Sequence, residues 1–240
     1  MTDSQSPFQR ILLKISGEGF ARDGETGLDT ELVRTLAEQL LSLTTEGVQV
    51  ACVIGGGNIL RGKQSESLGI ARATADYMGM LATVINGLAL ADALESNGVS
   101  TRVMSAIDVH KVCEPFIRRR ALRHLEKGRV VVLVGGLGSP YFTTDTAAAQ
   151  RAIELDCDAL LKATMVDGVY DKDPNVFPDA VMLPELTFNE VIQKQLRVMD
   201  QTAFTLCREH DMPLLVFDMN AKDGLSQAGR GHNIGTIIRN

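Results

Sequence analysis

The chain has 240 residues, of which 45% are hydrophobic, and its 30 acidic and 24 basic side chains give a formal net charge of -6. This composition suits a globular protein with a sizeable core, while the acidic balance without a long basic stripe argues against nucleic-acid binding. No stretch of the sequence reaches the about 18 apolar residues expected of a membrane span. The polar start MTDSQSPFQR lacks the apolar region of a signal peptide. We therefore expect a cytoplasmic protein.

The cysteines and histidines predict neither a disulfide framework nor a zinc site. The four cysteines are scattered without a CxxC pair, and the four histidines show no HExxH or paired spacing. We therefore expect buried free thiols, as in a reducing compartment, and no structural or catalytic zinc.

The first predicted element is an apolar strand, Arg10–Ile15, which follows a loose polar tail of residues 1–9. Lys14 lies near the end of the strand, and Ser16-Gly17-Glu18-Gly19 comes directly after it. A lysine and a glycine loop at the end of a strand can bind phosphate. A lysine that only extends its stem past the strand would give the same pattern, so this site depends on others that point to the same place.

A helix that begins after the capping Asp29 and a buried strand, Val48–Ile54, come next. The strand runs into Gly55-Gly56-Gly57, and three consecutive glycines favour close approach of a ligand over packing alone. The segment Gly57–Gln64, GNILRGKQ, is one residue short of the pattern GxxxxGK followed by Ser or Thr, because a glutamine replaces the hydroxyl residue that ligates Mg²⁺. We interpret it as a coincidence, which leaves a P-loop kinase as a rival hypothesis.

The middle of the chain predicts one long helix and several shorter elements. The long helical pattern covers Ile70–Asn97, with Asp76 near its start. After it, the pattern predicts a strand at Val99–Met104, a short strand at Val109–Cys113 and a helix at Glu114–Glu126.

The most informative stretch is Val130–Ala149, VVVLVGGLGSPYFTTDTAAA. It begins as a continuous apolar run, typical of a strand buried on both faces, and the run stops at Gly135-Gly136. Thr143-Thr144-Asp145-Thr146 then supplies good N-cap residues for an Ala-rich helix. A buried strand, a glycine turn and a helix N-terminus make a natural anion site, although a tight turn before a well-capped helix would look the same.

The strand Asp158–Lys162 again ends in a lysine, and the loop after it carries Thr164, Asp167, Tyr170 and Asp173. Such a loop can hold a nucleotide with Tyr170 as a stacking surface, or it can be a surface turn rich in Asp, Gly and Pro. The rest of the chain predicts shorter elements: a capping box at Thr187 and Glu190, a helix from Asp200, strands at Leu214–Phe217 and Thr236–Ile238, and a turn or short helix at Gly224.

Strands thus alternate with helices, which predicts an α/β fold with a mainly parallel sheet. Right-handed crossovers place successive strand exits along one edge of such a sheet. Four loops should therefore converge there: Lys14–Gly17, Gly55–Arg61, Gly135–Asp145 and Lys162–Asp173. Phosphoryl transfer needs two substrates held in line and charge neutralised at the transferring group. Two lysines, glycine amides and an aspartate that orients the ammonium groups suit that need, with Mg²⁺ arriving on the nucleotide.

At these residues the sequence resembles the bacterial uridylate (UMP) kinases of the amino acid kinase superfamily. The resemblance runs from about Arg10 to Ile238, and its most specific markers are the segments FTTDTAA and KATMVDGVYDKDP. The other markers are RILLKISGE, VIGGGNILRG, DYMGMLATVINGLALADAL and VMDQTAF.

The resemblance implies a three-layer αβα sandwich around a mainly parallel sheet of about eight strands. Residues 10–240 would form one domain, with an acceptor-binding part up to about residue 150 and an ATP-binding part after it. The implied reaction is transfer of the γ-phosphate of ATP to UMP with Mg²⁺, giving UDP and ADP in pyrimidine nucleotide biosynthesis.

The same resemblance implies the site residues. Transfer would be carried by Lys14, Asp145 and Lys162, with Asp200 either in support or only capping a helix. ATP would be bound by residues at the strand exits: Lys14, Ile15, Ser16, Gly17, Gly57, Arg61, Thr164, Tyr170 and Asp173. UMP would be bound by residues of the glycine turn, the long helix and the central stretch: Gly56, Asp76, Leu137, Gly138, Ser139, Pro140, Tyr141, Phe142, Thr143 and Thr144.

Members of this family are typically homohexamers, inhibited by UTP and in many bacteria activated by GTP. Arg102 and Arg129 fit an effector site. Ala91 and Glu95 stand where certain GTP-responsive members have basic residues, which weakens the expectation of GTP activation. Leu137 stands where some members have Thr, which removes one polar contact to the nucleotide.

Two other classes of function remain open on the sequence. A related kinase of the superfamily could phosphorylate carbamate, an amino acid or a phosphate monoester. A nucleotide sensor or storage protein could share the fold without catalysis, although the presence of both Lys14 and Asp145 favours an enzyme.

Overall fold

The computed structural model describes residues 8–22, 24–60, 69–174 and 176–240 of the chain. The strands of this part are β1 (Arg10–Ile15), β2 (Gln49–Ile54), β3 (Thr101–Ser105), β4 (Glu114–Pro115), β5 (Val130–Val134), β6 (Ala159–Thr164), β7 (Glu185–Thr187), β8 (Leu214–Asp218) and β9 (Thr236–Arg239). The helices are α1 (Thr30–Thr45), α2 (Arg72–Ser96), α3 (Arg118–Glu126), α4 (Thr144–Glu154), α5 (Phe188–Gln193), α6 (Gln201–Glu209) and α7 (Gly224–Gly229). A short 3-10 helix, Gly17–Phe20, follows β1.

Within the described residues, nine strands form one sheet in the order β4-β3-β5-β2-β1-β6-β8-β9-β7. Its ladders are parallel except that of β8 with β9. The mainly parallel α/β fold is therefore confirmed. The sheet has one strand more than the approximate eight, since β4 has only two residues and β7 only three, too few for a sequence pattern.

Helices cover both faces of the sheet and make it the middle of three layers. On one face, α1, α2 and α7 pack against inward-facing residues such as Ile11, Leu13 and Ile15 of β1. On the other face, α3, α4, α5 and α6 pack against a second cluster that includes Leu12 of β1. Because side chains alternate along a strand, Lys14 points to the same face as Leu12, toward α4.

Four neighbouring strands carry the loops predicted to converge. The strands β5, β2, β1 and β6 are adjacent and parallel, so their carboxyl ends meet at one edge of the sheet. This confirms the predicted convergence for the described part of these loops; Arg61, at the end of one of them, lies outside the described residues.

Two predicted elements differ from the structure. The strand expected at Val109–Cys113 is wrong: this segment forms turns, and the paired strand is β4, which begins at Glu114. The helix expected from Glu114 begins only at Arg118. The reason is that Glu114 and Pro115 pair with β3 and so form the edge strand of the sheet, and the Phe116 amide donates to the Ser105 carbonyl at 2.9 Å.

Helix α2 is long and apolar enough to cross a membrane by length and composition alone, although no such segment was expected from the sequence. Half of its most apolar 18-residue window is buried inside the fold. Its buried side chains, such as Val84 and Leu90, belong to the core between the sheet and α1. Packing in this core accounts for the apolar character of that side of the helix.

Residues 1–7 of the predicted N-terminal tail lie outside the described residues. The next two residues contact the fold: Phe8 packs on the core, and the Gln9 amide donates to an Asp158 carboxylate oxygen at 2.7 Å. The four cysteines are buried and unpaired, as expected.

Candidate active site

Strand register places two lysines side by side in the middle of the sheet. In the parallel ladder of β1 and β6, Lys14 lies directly opposite Lys162. Neighbouring strands in a sheet are less than about 5 Å apart, and residues in register point to the same face. The two ammonium groups therefore approach the same helix, α4.

Asp145, in the first turn of α4, lies between the two ammonium groups. Its Oδ1 is 3.1 Å from Lys14 Nζ and its Oδ2 accepts a hydrogen bond from Lys162 Nζ at 2.6 Å. The three side chains are only 11%, 15% and 12% exposed for Lys14, Asp145 and Lys162. Lys162 Nζ also donates to the Val198 carbonyl at 2.6 Å. One carboxylate thus orients two largely buried cations.

Burial and the neighbouring charges shift the pKa values of Asp145 and Lys162 in opposite directions. Burial raises the pKa of Asp145, but the charges of Lys14 and Lys162 outweigh burial, so the pKa lies below its ordinary value. Burial also lowers the pKa of Lys162, and attraction to Asp145 offsets part of this effect. We conclude that Asp145 is ionised in the cluster, because it has two cations for its one charge.

Helix capping explains why Asp145 occupies this position. Thr143 is the N-cap of α4, and its Oγ1 accepts from the Asp145 and Thr146 amides at 3.1 and 3.2 Å. The Thr143 and Thr146 hydroxyls donate to Asp200 Oδ2 at 2.6 and 2.9 Å. Asp200 in turn caps α6 by accepting from the Ala203 amide at 3.0 Å. Asp200 is therefore a cap that also joins two helix N-termini.

The loops after β1 and β2 pack against each other backbone to backbone. A Cβ at Gly17 would lie 2.3 Å from the Gly57 nitrogen and 2.8 Å from the Asn58 nitrogen, so only glycine fits there. Among the described residues, Ser16 Oγ is the buried side-chain oxygen with neither a hydrogen bond nor an ion pair, since Asp145 Oδ1 has no hydrogen bond of good geometry but is paired with Lys14. Ser16 lies at this edge, and a buried polar group without a partner is expected where a ligand binds.

A cavity of about 390 Å³ opens beside these loops, a volume within the range of small-molecule sites. Its lining comes from the glycine turn, the start of α2 and the β5–α4 loop: Gly56, Gly57, Leu60, Ile70, Arg72, Ala75, Asp76, Gly79, Met80, Thr83, Gly136, Leu137, Ser139, Phe142, Thr143 and Thr144. The cavity therefore lies at the edge where the predicted loops converge.

The predicted acceptor residues largely line this cavity. Gly138, Pro140 and Tyr141 lie in the same loop without belonging to the lining, and Gly57, expected at the ATP phosphates, also lines it. Sequence reasoning missed Arg72, Met80 and Thr83. They are four residues before, four after and seven after Asp76, so the helical period of α2 could have found them.

Asp76 is held at the mouth of the cavity by two contacts. Arg72 Nε donates to both carboxylate oxygens, at 2.9 and 3.2 Å, and the Tyr141 amide donates to Oδ2 at 2.8 Å. Tyr141 has a φ of 71°, which is uncommon for a residue with a side chain, and it is 70% exposed.

The other predicted ATP residues lie at the exit of β6. Thr164 Oγ1 donates to the Val166 carbonyl at 2.7 Å, and the Tyr170 hydroxyl donates to Asp167 Oδ1 at 2.7 Å. The Asp173 carbonyl accepts from the Val176 and Phe177 amides, which closes a turn. Arg61 lies outside the described residues.

The proposed effector arginines are already engaged. Arg102 lines a cavity of about 550 Å³ and lies 3.6 Å from a Glu95 oxygen and 3.7 Å from a Glu114 oxygen. Arg129 Nη1 lies 3.0 Å from His124 Nδ1. Because a guanidinium can only donate, His124 Nδ1 accepts this hydrogen bond.

A larger cavity of about 950 Å³ lies between α1, α7 and the loop after β8. Of the predicted site residues it contains only Ile15, whose side chain faces away from α4. The lysines and Asp145 face the opposite side of the sheet, and Thr143 and Thr144, next to Asp145 in the chain, line the smaller cavity.

The described residues contain no group of three or more His, Cys, Asp or Glu side chains that could hold a metal ion. Asp145 is occupied by two lysines. A Mg²⁺ ion at this site would therefore depend on ligand phosphates and water, which is how the ion is commonly bound in phosphate-transfer sites.

The chain is similar to known proteins over nearly its whole length. The model of the amino acid kinase family matches residues 9–218. A uridylate kinase from Paramagnetospirillum magneticum is 56% identical over 237 residues, which cover 99% of each chain. The crystal structure of a UMP kinase from Bacillus anthracis has a TM-score of 0.94 and 39% identity, covering 97% of this chain and 96% of that one. The crystal structure of a UMP kinase from Ureaplasma parvum has a TM-score of 0.92 and 39% identity, covering 97% of this chain and 99% of that one.

Proposed function

The chain belongs to the amino acid kinase family, among its uridylate kinases, and on that premise we propose how it transfers the γ-phosphoryl group of ATP to UMP, giving UDP and ADP. The observation that carries the proposal is the Lys14–Asp145–Lys162 cluster at the same sheet edge as a cavity of about 390 Å³. The cluster supplies positive charge for a transferring phosphoryl group, and the cavity offers room for an acceptor.

The acceptor nucleotide occupies this cavity. Asp76 accepts hydrogen bonds from the sugar hydroxyls, exchanging the Tyr141 amide for the ligand. The β5–α4 loop, Leu137 to Thr144, surrounds the uracil nucleotide, and the apolar side chain of Leu137 supplies packing there in place of a polar contact. The phosphate then points past Gly56 toward the lysines.

The donor nucleotide lies across the exits of β1 and β6. Ser16 and Gly17 receive the ATP phosphates, and the orphan Ser16 hydroxyl finds a partner in a phosphate oxygen. Thr164, Tyr170 and Asp173 hold the adenine nucleotide, and the phosphate contact expected of Arg61 falls on a residue that the structure does not describe.

Transfer then needs no covalent enzyme intermediate. An oxygen of the UMP phosphate bonds to the γ-phosphorus of ATP while the bond to the bridging oxygen breaks, and that oxygen leaves on ADP. Lys14 and Lys162 neutralise the charge that shifts during transfer, and Asp145 orients both ammonium groups toward it. When bound with the nucleotide, Mg²⁺ would supply further charge neutralisation at the phosphates.

We extend the proposal to assembly, regulation and location. An apolar stripe on α2 (Tyr77, Met78, Leu81 and Ile85) is between 38% and 50% exposed, which supports an oligomer and is compatible with a homohexamer. UTP, a uracil nucleotide, inhibits by competing for the acceptor cavity. GTP activation is the weaker expectation, because Glu95 and Glu114 already neutralise Arg102. The enzyme acts in the cytoplasm, in pyrimidine nucleotide biosynthesis.

The test is an ADP-release assay with MgATP and the acceptors UMP, CMP, dTMP, carbamate and glutamate. We expect turnover selective for UMP. Turnover with carbamate or glutamate alone would keep the ATP site and discard the acceptor. Nucleotide binding without turnover of any acceptor would favour a sensor or storage protein.

A further inference from the structure

A pair of buried amides, Asn58 and Asn86, forms the structural link between α2 and the glycine turn after β2. Asn58 is 1% exposed and Asn86 is 0% exposed. Burying an amide without hydrogen-bond partners is destabilising, so fully buried amides persist where their hydrogen bonds are satisfied. Neither residue has a part in the transfer described above.

The pair uses all four of its N–H donors. Asn58 Nδ2 donates to the Gly27 carbonyl at 2.6 Å and to Asn86 Oδ1 at 3.0 Å. Asn86 Nδ2 donates to the Gly55 carbonyl at 2.8 Å and to Asn58 Oδ1 at 2.7 Å. The Gly27 amide also donates to the Asn58 carbonyl at 3.0 Å. The Asn86 amide thus joins the turn to α2, and the Asn58 amide joins it to the loop after the 3-10 helix.

The turn that they hold separates the two substrate sites. Gly57 lines the acceptor cavity. On the other side, the turn packs against Gly17, where an added Cβ would lie only 2.3 Å from the Gly57 nitrogen and 2.8 Å from the Asn58 nitrogen. Gly56 packs directly on α2, since a Cβ there would meet the Gly79 carbonyl at 2.8 Å. A shift of this turn would therefore move both nucleotide sites relative to each other.

We infer that Asn58 and Asn86 are positioning residues, which lock the Gly55–Asn58 turn between α2 and the β1 exit and so fix the distance between donor and acceptor phosphates. The inference rests on the proposed function. Positioning matters chiefly when the phosphates must align for transfer, and a displacement of about 1 Å can cost about 100-fold in rate. Loss of the pair should therefore lower kcat more than it raises either KM.

The test compares Asn86→Ala, Asn58→Ala and the double variant with Asn97→Ala as the matched control. Asn97 ends the same helix and its exposed amide donates only to the Ala93 carbonyl, so its loss removes a hydrogen bond from α2 without touching the turn. For each protein we would measure kcat and both KM values, at a temperature well below its melting temperature, with activity normalised to folded protein.

We expect each single variant to lower kcat by about 10- to 100-fold, with both KM values within about threefold of wild type. The double variant should lose no more than the worse single variant, because the two amides act as a unit. Asn97→Ala should match wild type.

Raised KM values with unchanged kcat, or a kcat loss that disappears after normalisation to folded protein, would overturn the inference. If one single variant does not fold, the other decides by the same criteria. Wild-type protein without UMP turnover would instead overturn the proposed function.

Discussion

The ionic centre and the mouth of the acceptor cavity are neighbours, but the fold holds them by different means. Lys14 and Lys162 are fixed by the register of two central strands, and Asp145 by a capped helix turn. Asp76, in contrast, is held by Arg72, whose side chain is 63% exposed, and by the amide of the exposed Tyr141. The centre is therefore pre-organised for transfer, whereas the mouth can exchange its own hydrogen bonds for those of a ligand.

This difference predicts two kinds of mutant. Changes in the centre should lower kcat, because the charges act on the transferring group, and changes at the mouth should raise the KM for the acceptor alone.

The largest effect is expected for Asp145→Asn. It leaves two largely buried lysines without their carboxylate, so we expect kcat to fall by about 1,000-fold and the free energy of unfolding to fall by about 3 kcal/mol. Steady-state kinetics and urea unfolding would measure the two effects. The control is Asp156→Asn. The Asp156 carboxylate is 64% exposed and pairs with Arg118, so its loss should change neither kcat nor the free energy of unfolding by much. An Asp145→Asn enzyme with kcat within threefold of wild type would contradict the assignment.

Lys162→Ala should be nearly as harmful to turnover but much less harmful to the fold. Burial opposes the charge of Lys162, so removing the side chain also removes an unfavourable buried charge, while Lys14 remains to neutralise Asp145. We expect kcat to fall by about 100- to 1,000-fold with a melting temperature close to wild type. Activity and differential scanning calorimetry on the same sample would check this. A collapse of the melting temperature with normal residual activity would show that Lys162 is structural instead.

The comparison also shows which parts of the site the sequence could predict. Lys14 and Lys162 each lie near the end of an apolar strand, and the parallel α/β pattern requires such ends to meet at one edge of the sheet. Asp145 follows the capping residue Thr143 in a sequence typical of a helix start. The ionic centre could therefore be predicted from local patterns and the topology rules.

The mouth of the cavity and the amide pair could not be predicted in this way. The contact of Asp76 with the Tyr141 amide depends on a left-handed turn at a residue that rarely adopts one. The contact of Asn58 with Asn86 joins residues 28 positions apart, and an asparagine in a helix or after a glycine turn has no pattern that reveals its partner. The strand β4 was misplaced for a similar reason, since two residues carry no periodicity.

A smaller effect is expected at the mouth, for Asp76→Asn. The variant keeps an oxygen that can accept from a sugar hydroxyl but loses the charge, which weakens recognition of the sugar by about 1.4 kcal/mol in total. We expect the KM for UMP to rise about tenfold, with kcat and the KM for ATP nearly unchanged. Asp108→Asn, at an exposed carboxylate outside the cavity lining, is the control. Equal effects on the two KM values would remove Asp76 from the acceptor site.

The smallest effect concerns the pH dependence of stability, and it tests whether charge or burial controls Asp145. The pKa of Asp145 lies below its ordinary value of 3.8, so the folded state binds this proton less readily than the unfolded state. Its contribution to stability is then complete above pH 3.8 and is lost only as pH falls through the folded-state pKa. The difference in free energy of unfolding between wild type and Asp145→Asn should therefore not shrink from pH 7 to pH 5 by more than about 0.5 kcal/mol. If burial controlled the group instead, Asp145 would take up a proton within this range and the difference would shrink as the pH is lowered. Urea midpoints at pH 7, 6 and 5 distinguish the two cases, because titrations shared by both proteins cancel in the difference.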